Sequence, residues 1–190
     1  MIKMTVERFV QWFGAVCILA GLARIGMTPS NLVWGTDSPM ELMFAMIACV
    51  LMAIGTFGVF LALPSRFGVS LWTVLAIIIG NMMTLCVLYG RAAYGEYPGN
   101  DTLAESIVGL IMTVGVLGGT LVLSVLMWRS NVFPRWSALL HILMLVSMAL
   151  PYEAYFASFW GAAYVGMGIC MVKNAKHGSV NHEQTARVLG

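Results

Sequence analysis

The sequence predicts an all-α fold: a polytopic membrane helical bundle of six transmembrane helices with both termini cytoplasmic. Three observations lead there. Of 190 residues, 60% are hydrophobic and only 9% charged, against about 25% charged in soluble domains. Apolar runs near the ~20 residues needed to cross a bilayer recur along the chain. They assign residues 1–173 to one transmembrane domain and leave 174–190 as a polar, loose cytoplasmic tail. The basic residues then fall on alternating sides. Lys3, Arg8, Arg66, Arg129, Arg135, Lys173, Lys176 and Arg187 lie inside, with Arg24 and Arg91 outside, the bias of the positive-inside rule.

The first span is expected over Phe9–Met27. Lys3 and Arg8 ahead of it resemble the start of a signal peptide, but the run is long and has no small-x-small cleavage site, so it is expected to be retained. The second is expected over Pro39–Leu63, the third over Val69–Gly90 and the fourth over Thr102–Trp128. Val132–Val172 holds 41 residues and one acid, Glu153. As one helix it would reach roughly 60 Å, about twice the hydrocarbon core. Pro151 near its midpoint removes a backbone donor and ends the preceding helix. This divides the segment into a fifth span, Trp136–Leu150, and a sixth, Pro151–Val172, joined by an outer turn.

The three helices that start outside share a signature. Ser38 with Glu41, and Thr102 with Glu105, have the S/T-x-x-E spacing of a capping box, and Pro39 suits the first helical position. Glu153 places a carboxylate in the first turn after Pro151, where the helix dipole favours it. Capping accounts for Glu41, Glu105 and Glu153; the functional alternative is an outer vestibule that they form with Arg24 and Arg91. Tyr89, Tyr94, Tyr97, Tyr152 and Tyr155 gather at the same level as an aromatic belt.

Inside the bundle, small residues spaced by four mark helix-packing faces: Ala45, Cys49, Ala53; Ala76, Gly80, Thr84; Gly115, Gly119; and Ala154, Ser158, Ala162, Gly166. Such faces suit internal packing, a homodimer or another membrane-protein partner. Asn81 at mid-depth and His141 in the fifth span are the remaining polar candidates for a ligand or ion pathway, against a reading as interhelical hydrogen-bonding groups. Met40, Met43 and Met46, and His141 with Met144 and Met148, have thioether and imidazole groups that suit copper(I). Methionine also fills irregular apolar gaps, and no metal or other cofactor is assigned. A bis-histidine haem lacks a second ligand in the bundle, since His177 and His182 lie in the tail. The four cysteines fall inside apolar runs without ligand spacing and read as packing residues.

No nucleophile elbow, phosphate-binding loop, HExxH or dinucleotide fingerprint occurs, and no basic patch suggests nucleic acid. The segment VGVLGGTLVLSVLMWRSNVFPRWSALLHILML, Val114–Leu145, resembles a broad group of small multi-span bacterial membrane proteins of uncharacterised function. In that group a glycine-rich span leads into a Phe-Pro-Arg-Trp cytoplasmic turn, here Phe133–Trp136; WGAAYVGMGI from Trp160 extends the likeness. The resemblance implies the topology and a bacterial inner-membrane location, and carries no catalytic residue. The resulting expectation is a non-enzymatic sensor, immunity factor or accessory subunit that binds an apolar ligand or membrane partner. The alternative is a small transporter or channel with an acidic outer vestibule.

Overall fold

Hydrocarbon offers no hydrogen-bond partner to a peptide group, so an apolar chain must satisfy its backbone within each segment. The computed structural model describes residues 2–63, 69–95, 102–130, 132–148 and 155–188, and every regular element among them is helical. In order these are α1 (Ile2–Trp34), α2 (Pro39–Ala62), α3 (Val69–Tyr94), α4 (Leu103–Thr113), a π-helical turn (Val114–Gly118), α5 (Gly119–Ser130), α6 (Arg135–Met148) and α7 (Phe156–Val188). The α4, π and α5 segments follow one another without a break and form a single rod. Among the described residues, five helical stretches are long and apolar enough to cross a membrane: Arg8–Trp34, Pro39–Ala62, Ser70–Tyr94, Leu103–Ser130 and Phe156–Asn174. The sixth, α6, is apolar but shorter. The expected turn at Pro151, Tyr152 and Glu153 lies outside the described residues.

Helix ends follow local chemistry. The first helix continues well past Met27, through Pro29, to Trp34. Proline removes one backbone donor but not the helical conformation of its own residue, and Ser30 Oγ donates to Gly26 O at 2.8 Å within the same turn. Gly35, at φ 87°, then stops α1 with its N–H on Asn31 O at 2.9 Å, a left-handed cap that glycine adopts without strain. Ser38 caps α2 by accepting from Glu41 N–H at 3.3 Å. Glu41 Oε2 accepts from Asp37 N–H at 2.8 Å rather than from Ser38 N–H, which is bonded to Gly35 O. At α4 both halves of the capping box form: Glu105 N–H donates to Thr102 Oγ1 at 3.2 Å and Thr102 N–H to Glu105 Oε2 at 3.0 Å.

The helices pack as a ring. Each touches its chain neighbours, with α5 carrying the contact from the fourth rod to α6, and α7 closes the ring against α1 while also touching α2. The α1–α7 seam is antiparallel and built on glycines seven residues apart: Gly14 faces Gly168, and Gly21 faces Gly161. A Cβ at Gly161 would fall 2.5 Å from Gly21 O, and one at Gly14 2.9 Å from Gly168 O. Close backbone approach of this kind drives association where lipid is as apolar as leucine. Across the ring, Gly80 of α3 meets Gly115 of the π turn in the same way. The expected Gly166 face receives the Trp136 ring of α6, whereas Gly161 and Gly168 make the seam with α1. The core between the helices holds Met52, Ile77, Leu123, Met127, Met144, Tyr164, Met167 and Met171.

Candidate functional site

The ring buries an arginine. Arg24 lies ten residues before the end of α1, about 15 Å from that end at 1.5 Å per residue, and is 5% exposed. A Met27 terminus would have put it at the interface; continuation of α1 to Trp34 carries it into the bundle instead. Its guanidinium carbon sits 4.3 Å from the centre of the Trp160 ring and 5.3 Å from that of Phe156, both on α7. The Cys49 thiol of α2 is its side-chain hydrogen-bond partner. Among the described residues no carboxylate lies within ion-pair distance of it, and Arg24 Nε and Trp160 Nε1 both lack a hydrogen-bond partner. Glu41 is within electrostatic range, but its two oxygens already accept from Asn31 Nδ2 at 3.1 Å and from Asp37 N–H at 2.8 Å. A desolvated cation–π contact is worth about 2 kcal/mol, which does not offset several kcal/mol of ion desolvation.

Below Arg24 a second polar group links α2, α7 and α6. Thr56 Oγ1 donates to Met52 O at 2.6 Å. That uses its single hydrogen, so in the 2.8 Å contact with Tyr164 the phenol is the donor. The Tyr164 ring meets the His141 ring edge to face, centres 5.8 Å apart. His141 Nδ1 lies 3.1 Å from Ser137 O; a carbonyl only accepts, so Nδ1 carries the proton and Nε2 of the neutral ring presents a lone pair. That Nε2 has no partner. Ser137 Oγ donates to Ala163 O at 2.8 Å and ties α6 to α7.

The other expected site residues are separated from this pair of clusters. Asn81 is buried in α3, donating through Nδ2 to Ile77 O at 2.9 Å, with Oδ1 unpartnered. Arg91 lies at the end of α3, where it pairs with Asp37 at 3.3 Å and donates to Gly95 O. Arg91 and Glu41 therefore both contact Asp37 on the α1–α2 turn, Arg91 at its carboxylate and Glu41 at its backbone N–H. Glu105 caps α4 through solvent-exposed hydrogen bonds, and Glu153 lies outside the described residues. Of the methionines considered with copper, Met40, Met43 and Met148 are exposed while Met144 is buried. Among the described residues no group of three or more His, Cys, Asp or Glu could hold a metal ion.

No family model, curated protein or solved structure matches the chain. Its site is therefore read from its own geometry. Nothing in the sequence marks Thr56 as a site residue, and Trp160 and Tyr164 stand out only as part of the WGAAYVGMGI segment. One signal was there to find: the seven-residue spacing of Gly14 and Gly21 recurs at Gly161 and Gly168, and pairing these glycines antiparallel brings Trp160 beside α1.

Proposed function

We propose that this chain is a non-enzymatic multi-pass protein of the bacterial inner membrane that binds a ligand or a membrane partner from within the bilayer, as a sensor, immunity factor or accessory subunit. The observation that carries this reading is the burial of Arg24 on the Trp160 ring with donor groups left unpartnered. Ionisable groups at membrane depth are rare, expensive and functional by default. Among the described residues its neighbours are two aromatic rings and a thiol, which suit the holding of a ligand. Six spans with both termini cytoplasmic complete the proposal. The basic residues support that orientation more strongly once Arg24 is counted inside the bundle, because Arg91 is then the single basic residue left on the outer side. The Phe133–Trp136 turn and its resemblance support the bacterial location.

A second reading, a small transporter, is favoured by Asn81 Oδ1 and His141 Nε2, two buried acceptor atoms without partners on inward-facing helices. Flux across proteoliposomes separates the two. The binding reading predicts no substrate-dependent flux by the wild type, together with a defined ligand or membrane protein that co-purifies and raises the melting temperature. Flux that disappears in Asn81→Ala overturns it in favour of transport.

A further inference from the structure

We infer that the Arg24–Trp160 stack is a headgroup site for an oxyanion, carboxylate or phosphate, borne on an amphiphile that enters from the bilayer. The inference rests on the binding function proposed above and names its ligand class. Its first ground is chemical sign. The unpartnered atoms at this place, Arg24 Nε and Trp160 Nε1, are both donors, and arginine and indole nitrogens have no acceptor capacity. Their missing partner must therefore accept, and a guanidinium in low dielectric favours an acceptor that is anionic. The guanidinium carbon lies 4.3 Å from the centre of the indole ring, so both unpartnered N–H groups belong to one stack, and one headgroup with two oxygens is the ligand we assign to the pair.

The second ground is that the described chain does not supply that partner. Glu41 is engaged at the α1–α2 turn, and Asp37 is paired with Arg91. The third is the apolar surface next to the site. Met27, Ala45 and Ala157 form a small separate cluster with Phe44, Leu88 and Phe156, and Phe156 is the residue that also covers Arg24. Phe44 and Phe156 are only half-buried. An apolar chain attached to the headgroup has these rings to lie against, one turn toward the outer side of Arg24.

The test is equilibrium binding of radiolabelled laurate to the full chain in phosphatidylcholine nanodiscs. The expected result is saturable binding of one laurate per chain, with methyl laurate failing to compete. Arg24→Gln should weaken it by about tenfold or more. Trp160→Phe, which keeps a ring under the guanidinium and removes the indole donor, should weaken it by a smaller factor with the melting temperature retained. Displacement by phosphatidylglycerol identifies a membrane lipid as the source and supports the proposal; displacement by inorganic phosphate alone identifies a soluble anion and overturns the amphiphile. Equal binding of methyl laurate, undiminished binding in both variants, or no binding of any of the three oxyanions overturns it. If these probes fail while a membrane partner still co-purifies, and does so with Arg24→Gln as well, the ligand assignment falls and the proposed function stands. If nothing binds or co-purifies, both fall.

Discussion

Thr56 is the acceptor of the buried Tyr164 hydroxyl, and its own proton goes to Met52 O. The two ends of this bond are therefore unequal. Tyr164→Phe removes a donor and leaves Thr56 still bonded, so it should cost about 0.6 kcal/mol, the mean for an interhelical bond in a membrane protein. Thr56→Val leaves a phenol hydroxyl buried without a partner and should cost more, about 1–3 kcal/mol. Unfolding of the two variants in mixed micelles measures the order, and a larger loss in Tyr164→Phe would contradict the assigned direction of the bond. Little of this was legible in sequence. Asn81 and His141 could be recognised as polar groups inside apolar runs, because that depends only on neighbours in the chain. Thr56 and Tyr164 could not, because a threonine or tyrosine among apolar residues has many ways to satisfy one hydroxyl, including the back-bond to the preceding turn that Thr56 makes.

Element boundaries are set by chemistry within three or four residues, and here the sequence was most informative. The Thr102–Glu105 capping box forms in both directions, and Pro39 opens α2 behind Ser38. No residue of α4 is buried, and α3 is the neighbouring helix it packs against. With so little packing to hold it, α4 depends on its cap. Thr102→Ala should cost about 1 kcal/mol and raise amide hydrogen exchange in the first turn of α4, leaving exchange in α7 unchanged. The first helix shows where the local signals fall short. The first span is expected to end at Met27, yet α1 runs on through Pro29 to Trp34, and that extension of nearly two turns decides whether Arg24 sits at the interface or in the bundle. The π turn at Val114–Gly118 is similarly silent in composition. It sits where Gly115 lies against Gly80 and Ala76 of α3, a contact between helices rather than within one.

At the scale of the whole molecule, the seam between α1 and α7 joins the two ends of the fold. A Cβ at Gly21 or Gly161 meets the carbonyl oxygen of its opposite number, which is backbone and has no rotamer through which to yield. Gly21→Ala and Gly161→Ala should each destabilise by about 1–3 kcal/mol. Their combination should fall short of the sum, since the first substitution already separates the helices that the second would push apart. Gly90→Ala, where nothing lies within 4 Å of the added carbon, should stay within about 0.5 kcal/mol of the wild type. Thermal melts of the detergent-solubilised protein compare the four; equal effects at positions 21 and 90 would exclude the seam.

The sequence by itself determined that the chain is helical and apolar enough to be membrane-embedded, where its capped helices begin, and which polar groups lie inside apolar runs. These properties follow from composition and from chemistry within one turn. The tertiary structure decided that Arg24 is buried on Trp160, that Tyr164 spans from His141 to Thr56, and that Gly14 and Gly21 face Gly168 and Gly161. In an apolar solvent the hydrophobic pattern does not mark which face of a helix is inside. Partners are selected by the fit of small residues and by the pairing of a few polar groups, and that selection exists only between helices far apart in the chain.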